Sequence, residues 1–332
     1  MREYILGIDI GGTKCAVNYA YKEGLELYLT DKEKFPTTSV NETIGNILIS
    51  VNNMMEKHSL TKESVSAIGI SCGGPLDSTK GLIMSPPNLP GWDNIPIVDI
   101  IEEKFGIKTN LQNDANACAL AEWKYGAGRG MRNMIFMTFG TGLGAGLILD
   151  GKLYTGTNDN AGELGHIRLS EYGPVGYGKA GSFEGFCSGG GITQIAKSLI
   201  LEKIQMGLPV DWCRLEEMEL LTAQKVAEEA AKGDELALQI FDITSKELGK
   251  GLSIIIDILN PEAIVIGGIF TRCRTLMETR MLEMIKKETL PGSRRVCKIM
   301  ISQLGEQIGD YAAISVAANV LNKEATYERL DL

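Results

Sequence analysis

Asp9 stands just ahead of Gly11-Gly12-Thr13-Lys14, and Thr138 stands just ahead of Gly140-Thr141-Gly142, each set between apolar, strand-like runs. Glycine lets a backbone come close to an anion, and amide N–H groups with threonine hydroxyls supply donors that complement phosphate oxygens. Asp9 adds a carboxylate suited to magnesium, a hard cation that prefers oxygen ligands and keeps several waters. Either turn alone also reads as an ordinary hairpin connection. Two of them, one opening each half of the chain, point to nucleotide phosphates gripped by duplicated domains.

The elements that must position these turns follow from periodicity. The first turn joins a hairpin over about residues 4–30; helical spacing runs over 40–57, and Val65 to Ser71 is a buried strand leading into Cys72-Gly73-Gly74-Pro75. A helix is expected over 97–105, a strand over 109–113 and an alanine-rich helix over 115–125. The second hairpin follows. Residues 151–191 then form a glycine-rich stretch too long for a mere connection, the kind of segment that carries sites. Helical pattern dominates from 192 to 258, Ala263 to Ile266 is a last buried strand ending in Gly267-Gly268, and a helix is expected over 312–321.

The chain has 332 residues, of which 44% are hydrophobic, enough for two domains with their own cores. Net charge is −9 with scattered basic residues, so no nucleic-acid surface is expected and nucleotide binding must rest on local amides and a metal. A strand begins within the first few residues, leaving no room for a signal peptide, and no apolar run reaches the ~18 residues of a membrane span. A cytoplasmic enzyme without membrane partners is the expectation. The seven cysteines are far apart and form no C-x-x-C pair, which fits reduced, buried thiols.

Asp9-Ile10-Gly11-Gly12-Thr13, Asn113-Asp114, Thr138-Phe139-Gly140-Thr141-Gly142, Glu163-Leu164-Gly165-His166 and Gly267-Gly268, in that order and spacing, resemble the ROK family of sugar kinases and related repressors. The match runs over nearly the whole chain, and the Glu-x-Gly-His element is specific to the family. The resemblance implies an α/β, actin-like ATPase (ribonuclease H-like) fold, two domains of duplicated topology with a central cleft. It implies a small domain of residues 1–117 plus 312–332, a large domain of 118–311, hinges near 115–125 and Gly309, and a homodimer. It also implies transfer of the ATP γ-phosphoryl group, with Mg²⁺, to a hexose hydroxyl.

A sugar hydroxyl has a very high pKa and must lose its proton as it attacks phosphorus, a task for a positioned carboxylate. Asp114, where strand gives way to helix, suits that role and equally suits a helix N-cap. By resemblance Asp114 is the base and Asn113 holds ring hydroxyls. Glu163, His166 and Glu184 contact the sugar, with Gly73 and Asn88 on the other wall, although Asn88 also reads as part of a rigid proline turn. Asp9, Gly11, Gly12, Thr13, Lys14, Thr138, Gly140, Thr141 and Gly142 hold the nucleotide phosphates. Gly267 and Gly268 form the adenosine turn or a plain strand-end turn, and His58 is given no role. The family commonly binds a structural zinc through this histidine and a Cys-x-Cys-Gly-x-x-Gly-Cys-x-Glu element. Here Val175, Tyr177 and Ser182 stand at the three cysteine positions, so no structural zinc is expected. The expected activity is ATP-dependent phosphorylation of the 6-hydroxyl of glucose or an N-acetylated hexosamine. The alternative is a sugar-sensing regulator without kinase activity; that class carries a DNA-binding segment ahead of the phosphate turn, for which Asp9 leaves no space.

Overall fold

A computed structural model describes residues 2–24 and 26–327, with side chains as far as Asn319. Contacts divide the chain into two units: 1–131, 146–161 and 303–332 form the first, and 132–145 with 162–302 form the second. Of the expected small-domain segment 312–332, residues 328–332 lie outside the described residues.

In the first unit, β1 (Arg2–Ile10) pairs antiparallel with β2 (Lys14–Glu23), and β2 with β3 (Glu26–Pro36). After α1 (Val40–Lys57) comes β4 (Val65–Cys72), parallel to β1; a small hairpin of β5 (Leu76–Asp77) and β6 (Leu82–Ile83) and then α2 (Ile97–Phe105) lead to β7 (Thr109–Asn113), parallel to β4. The sheet order is β3-β2-β1-β4-β7, and α3 (Asp114–Tyr125) leaves from its edge. Alternation along β1 sends Leu6, Ile8 and Ile10 into one core, where Ile47, Val51 and Met54 of α1 meet them at helical spacing. Ile5 faces the opposite side, with Gly7 and Asp9.

The chain enters the second unit at β8 (Met134–Phe139) and turns into β9 (Leu143–Leu149). The end of β9 and β10 (Lys152–Tyr154), its antiparallel partner, group with the first unit. The glycine-rich stretch is built of short pieces: a 3₁₀ turn over Leu164–His166, the two-residue strands β11 (Val175–Gly176) and β12 (Lys179–Ala180), and α4 (Phe183–Phe186). Helices α5 (Gly189–Gln205), α6 (Ala223–Ala231) and α7 (Glu235–Leu259) follow. β13 (Ala263–Gly268) is parallel to β8 and, beyond α8 (Ile269–Glu288) and α9 (Pro291–Val296), to β14 (Lys298–Ile301).

Back in the first unit, α10 (Ile308–Tyr327) packs on β1, β4 and α3. Gly7 and Gly69 face each other in register beneath it, and a Cβ at Gly69 would stand 2.1 Å from the Ala313 carbonyl oxygen. Two glycines side by side thus let the helix backbone rest directly on the sheet.

β3, α8, α9 and β14 are absent from the sequence reading. β3 is an edge strand whose Asp31-Lys32-Glu33-Lys34 run hides its alternation, as edge strands carry charge against unwanted pairing. α8 contains a non-helical residue, Cys273 (φ −109°, ψ 19°), which breaks its period. Among the described residues no helix is long and apolar enough to cross a membrane. All seven cysteines are free, five of them buried.

Candidate active site

In the first unit three parallel strands end together: Ile10 of β1 lies opposite Cys72 of β4, and Cys72 opposite Asn113 of β7. Carboxyl ends of parallel strands are where open α/β sheets bind ligands. The turn after β1 is closed by Gly11 N–H to Lys14 O at 3.2 Å and braced by Thr37, whose hydroxyl donates to Gly11 O at 2.6 Å and whose N–H donates to Thr13 O at 3.0 Å. Gly12, Thr13 and Lys14 are exposed. Asn88 is also exposed, on a loop anchored by the buried Leu89 and Trp92, and a Cβ at Gly12 would stand 2.5 Å from the Asn88 carbonyl oxygen. A Cβ at Gly73 would lie 3.4 Å from Asn88 Oδ1, and one at Gly74 3.2 Å from Asn113 Nδ2. Gly12, Gly73, Asn88 and Asn113 are thus gathered in one place.

The helix cap is Asn113, not Asp114: Asn113 Oδ1 accepts the N–H of Ala115 at 3.0 Å and of Asn116 at 3.4 Å. Gln112 Oε1 accepts Asn113 N–H at 2.8 Å and steadies the cap from behind. Asp114 occupies the first helical position with its side chain reaching solvent, and its Oδ1 accepts Ala115 N–H at 2.7 Å. Desolvation by the protein around it pushes its pKa above the ordinary carboxylate range, against the pull of Ala115 N–H. Asp9 has its pKa pushed up to about 6, first by burial, then by Asp114 and Asp310, with Lys32 and Lys14 opposing. A carboxylate so short of compensating positive charge fits a divalent cation. No cluster of three or more His, Cys, Asp or Glu among the described residues forms a metal cage, and magnesium needs none, taking one or two carboxylates with phosphates and waters.

In the second unit the turn after β8 carries Gly140 N–H to Gly142 O at 3.0 Å, and Gly189 N–H at the start of α5 donates to Gly140 O at 2.8 Å. Thr141 is exposed. Gly267 pairs with Thr138 and Gly268 with Phe139, so the two glycine turns end adjacent parallel strands. Gly268 has φ 73°, and a Cβ there would meet Phe139 O at 2.2 Å. Beside them opens a cavity of about 780 Å³, walled by Gly140, Thr141 and Gly189, by Ala223, Ala227 and Ala231 of α6, and by Ile269, Arg272 and Cys273 of α8. That volume is in the range of small-ligand sites. The α6 wall went unread in the sequence, although alanine every fourth residue on an otherwise charged helix was a usable sign of a smooth face.

Glu163 precedes the 3₁₀ turn and His166 ends it, both exposed; Glu184 is half-buried in α4. His166 O accepts Lys179 Nζ at 2.7 Å, and its ring meets Tyr177 edge-on with centroids 6.3 Å apart. The amide of Gln194 clamps the backbone N–H and C=O of Val175, each at 2.9 Å. Ser182, fully buried, accepts Gly185 N–H at 3.0 Å and caps α4. Hydrogen bonds therefore hold this loop. Valine, tyrosine and a capped serine offer no thiolate set, and Cys187 is buried against Thr244 O, so these residues do not fit a tetrahedral zinc.

A sequence model of the ROK family matches residues 5–319. The glucokinase of Halalkalibacterium halodurans is 31% identical over 314 residues, covering 92% of each chain. The xylose repressor of Caldicellulosiruptor bescii is 26% identical over 308 residues, 91% of this chain and 75% of that protein. Among solved structures, a ROK family glucokinase from Streptomyces griseus in complex with glucose and AMPPNP is 28% identical, with a TM-score of 0.74 over 95% of this chain and 99% of that one.

Proposed function

The chain belongs to the ROK family and has the actin-like ATPase fold of its kinases, and from that premise we propose that it transfers the γ-phosphoryl group of ATP to the 6-hydroxyl of a hexose or N-acetylhexosamine. The sugar-kinase reading is supported by the glucokinase relatives over nearly the whole chain. The observation that carries the chemistry is Asp114 at the first helical position beside the Asn113 cap, exposed and more basic than an ordinary carboxylate.

In this reading Asp114 accepts the proton of the attacking hydroxyl as the sugar oxygen bonds to the γ-phosphorus and ADP departs. Asn113, Asn88, Glu163, His166 and Glu184 bind ring hydroxyls, whose loss in a buried site would cost about 1–3 kcal/mol each. The amides of Gly11–Thr13 and Gly140–Gly142, with the hydroxyls of Thr13, Thr138 and Thr141, take the phosphate oxygens, with Lys14 alongside. The alanine-walled cavity and Gly267-Gly268 take the nucleoside. Asp9 would hold Mg²⁺, which when bound neutralises charge on the β- and γ-phosphates. A homodimer belongs to the same proposal, on family resemblance alone.

The test is Asp114→Asn. Turnover should fall roughly 10²- to 10⁴-fold while sugar affinity stays within several-fold, because the amide keeps shape and hydrogen bonding but takes no proton. Near-normal turnover would end the assignment. A regulator without turnover draws support from the repressor relatives. It predicts sugar binding by the wild-type protein with no phosphorylated product.

A further inference from the structure

The carboxylate of Glu184 lies against the second phosphate turn. Its Oε2 accepts the N–H of Leu143, the first residue beyond Gly142, at 3.0 Å. A Cβ built at Gly142 would stand 2.7 Å from that oxygen and 3.5 Å from Glu184 Cδ, and would meet nothing else within 4 Å outside its chain neighbours. Gly142 does not have a positive φ, so its backbone conformation does not demand glycine. The one group that a side chain there would displace is this carboxylate. The Glu163–His166 turn rests on the same strand end: a Cβ at Gly165 would stand 2.5 Å from Leu143 O and 3.2 Å from Glu184 Cβ. An ionised carboxylate offers about four lone-pair sites, and Leu143 uses one of them.

We propose that Glu184 couples the two substrates, its carboxylate being shared between sugar hydroxyls and the turn that grips the nucleotide phosphates, so that each ligand tightens the binding of the other. This rests on the reading of Glu184 as a sugar contact and adds to it a role on the nucleotide side. A sugar hydroxyl donating to the carboxylate fixes its rotamer, the fixed carboxylate holds Leu143 N–H, and the turn is ordered before the nucleotide arrives. Coupling of binding free energies is reciprocal, so a nucleotide that orders the turn must improve sugar affinity by the same factor.

The experiment is calorimetric titration of the full chain with AMPPNP, with and without a saturating amount of whichever of glucose, N-acetylglucosamine and N-acetylmannosamine binds best, and the converse titration. The wild type should show roughly 5- to 50-fold mutual tightening, and Glu184→Ala none. Gly142→Ala displaces only the far end of a flexible side chain and should fold with an unchanged melting temperature. It should weaken sugar binding by roughly tenfold, although position 142 belongs to the phosphate turn. Gly140→Ala is the control, since its Cβ would make only an ordinary 3.7 Å contact with Thr138 Oγ1 and should leave sugar affinity within about twofold. Glu163→Gln should lose sugar affinity yet keep the coupling once sugar saturates. Coupling undiminished in Glu184→Ala, or wild-type sugar affinity in Gly142→Ala, overturns the proposal. Sugar affinity untouched by both Glu184→Ala and Glu163→Gln overturns the sugar-site reading beneath it.

Discussion

The two phosphate turns look alike in sequence and are supported in different ways. The turn at Gly11–Thr13 is braced by backbone and by Thr37, itself tied to Cys15 at 3.3 Å, and its glycine abuts the Asn88 main chain. The turn at Gly140–Gly142 leans on the Glu184 side chain and on Gly189 N–H. A backbone neighbour cannot step aside, whereas a side chain can. Substituting the first turn should therefore damage the fold, and substituting the second should damage ligand binding.

The largest effect expected beside the first turn comes from Asp9, at the end of β1 and outside the turn itself. Asp9→Asn should lower turnover roughly 10²-fold or more, because the carboxylate proposed to hold Mg²⁺ is gone. The same change should stabilise the metal-free protein at pH 8. Burial raises the folded pKa to about 6, above the ordinary aspartate value of 3.8, so the favourable contribution of protonated Asp9 is complete below the lower value and lost as pH rises through about 6. Removing the charge should recover on the order of 2–3 kcal/mol at pH 8 and nothing near pH 3, checked by urea unfolding at both pH values.

Gly12→Ala comes next. Its Cβ would press on the Asn88 backbone, and the strain should cost about 1–3 kcal/mol, read as a drop in the denaturation midpoint that Gly142→Ala does not share. Equal melting temperatures for the two variants would erase the contrast between the turns.

Within the second unit, His166→Ala should weaken sugar binding about tenfold while AMPPNP affinity measured without sugar stays within about twofold, because truncating the ring keeps the Lys179 bond to the His166 main chain and with it the backbone of the turn. Equal losses for both ligands would mean that the loop has collapsed. Smallest of all is the effect of chelation. With hydrogen bonds from Gln194, Lys179 and Ser182 holding the loop, dialysis against a strong chelator should leave the melting temperature unchanged, and elemental analysis should find no stoichiometric zinc.

Much of this was legible in the residues. The strands over 65–72 and 263–268 and the helices over 40–57 and 97–105 carry strong apolar patterns bounded by turn residues, whereas the strand over 109–113 has Leu111 as its one apolar side chain. Around Asp114 the sequence leaves cap and base open, because aspartate suits both roles; Ala115 N–H is shared by Asn113 and Asp114, and the Asn116 N–H, which donates to Asn113 Oδ1, decides that Asn113 does the capping. The contact between Glu184 and Leu143 joins residues 41 apart through a backbone N–H, which leaves no trace in side-chain type. Nor could composition show that Tyr177 and Lys179 would bear on His166, since their positions depend on the hairpin of β11 and β12 that Gln194 pins in place.

The central claim is that this chain moves a phosphoryl group onto a sugar. Incubating the wild-type protein with Mg²⁺, ATP labelled at the γ-phosphate and a panel of glucose, N-acetylglucosamine and N-acetylmannosamine tests it directly, with phosphorus NMR to identify the product. The predicted result is stoichiometric ADP and label in a 6-phosphomonoester of at least one sugar. Sugar binding with ATP left intact, or ATP hydrolysis with the label appearing only as inorganic phosphate, would contradict it.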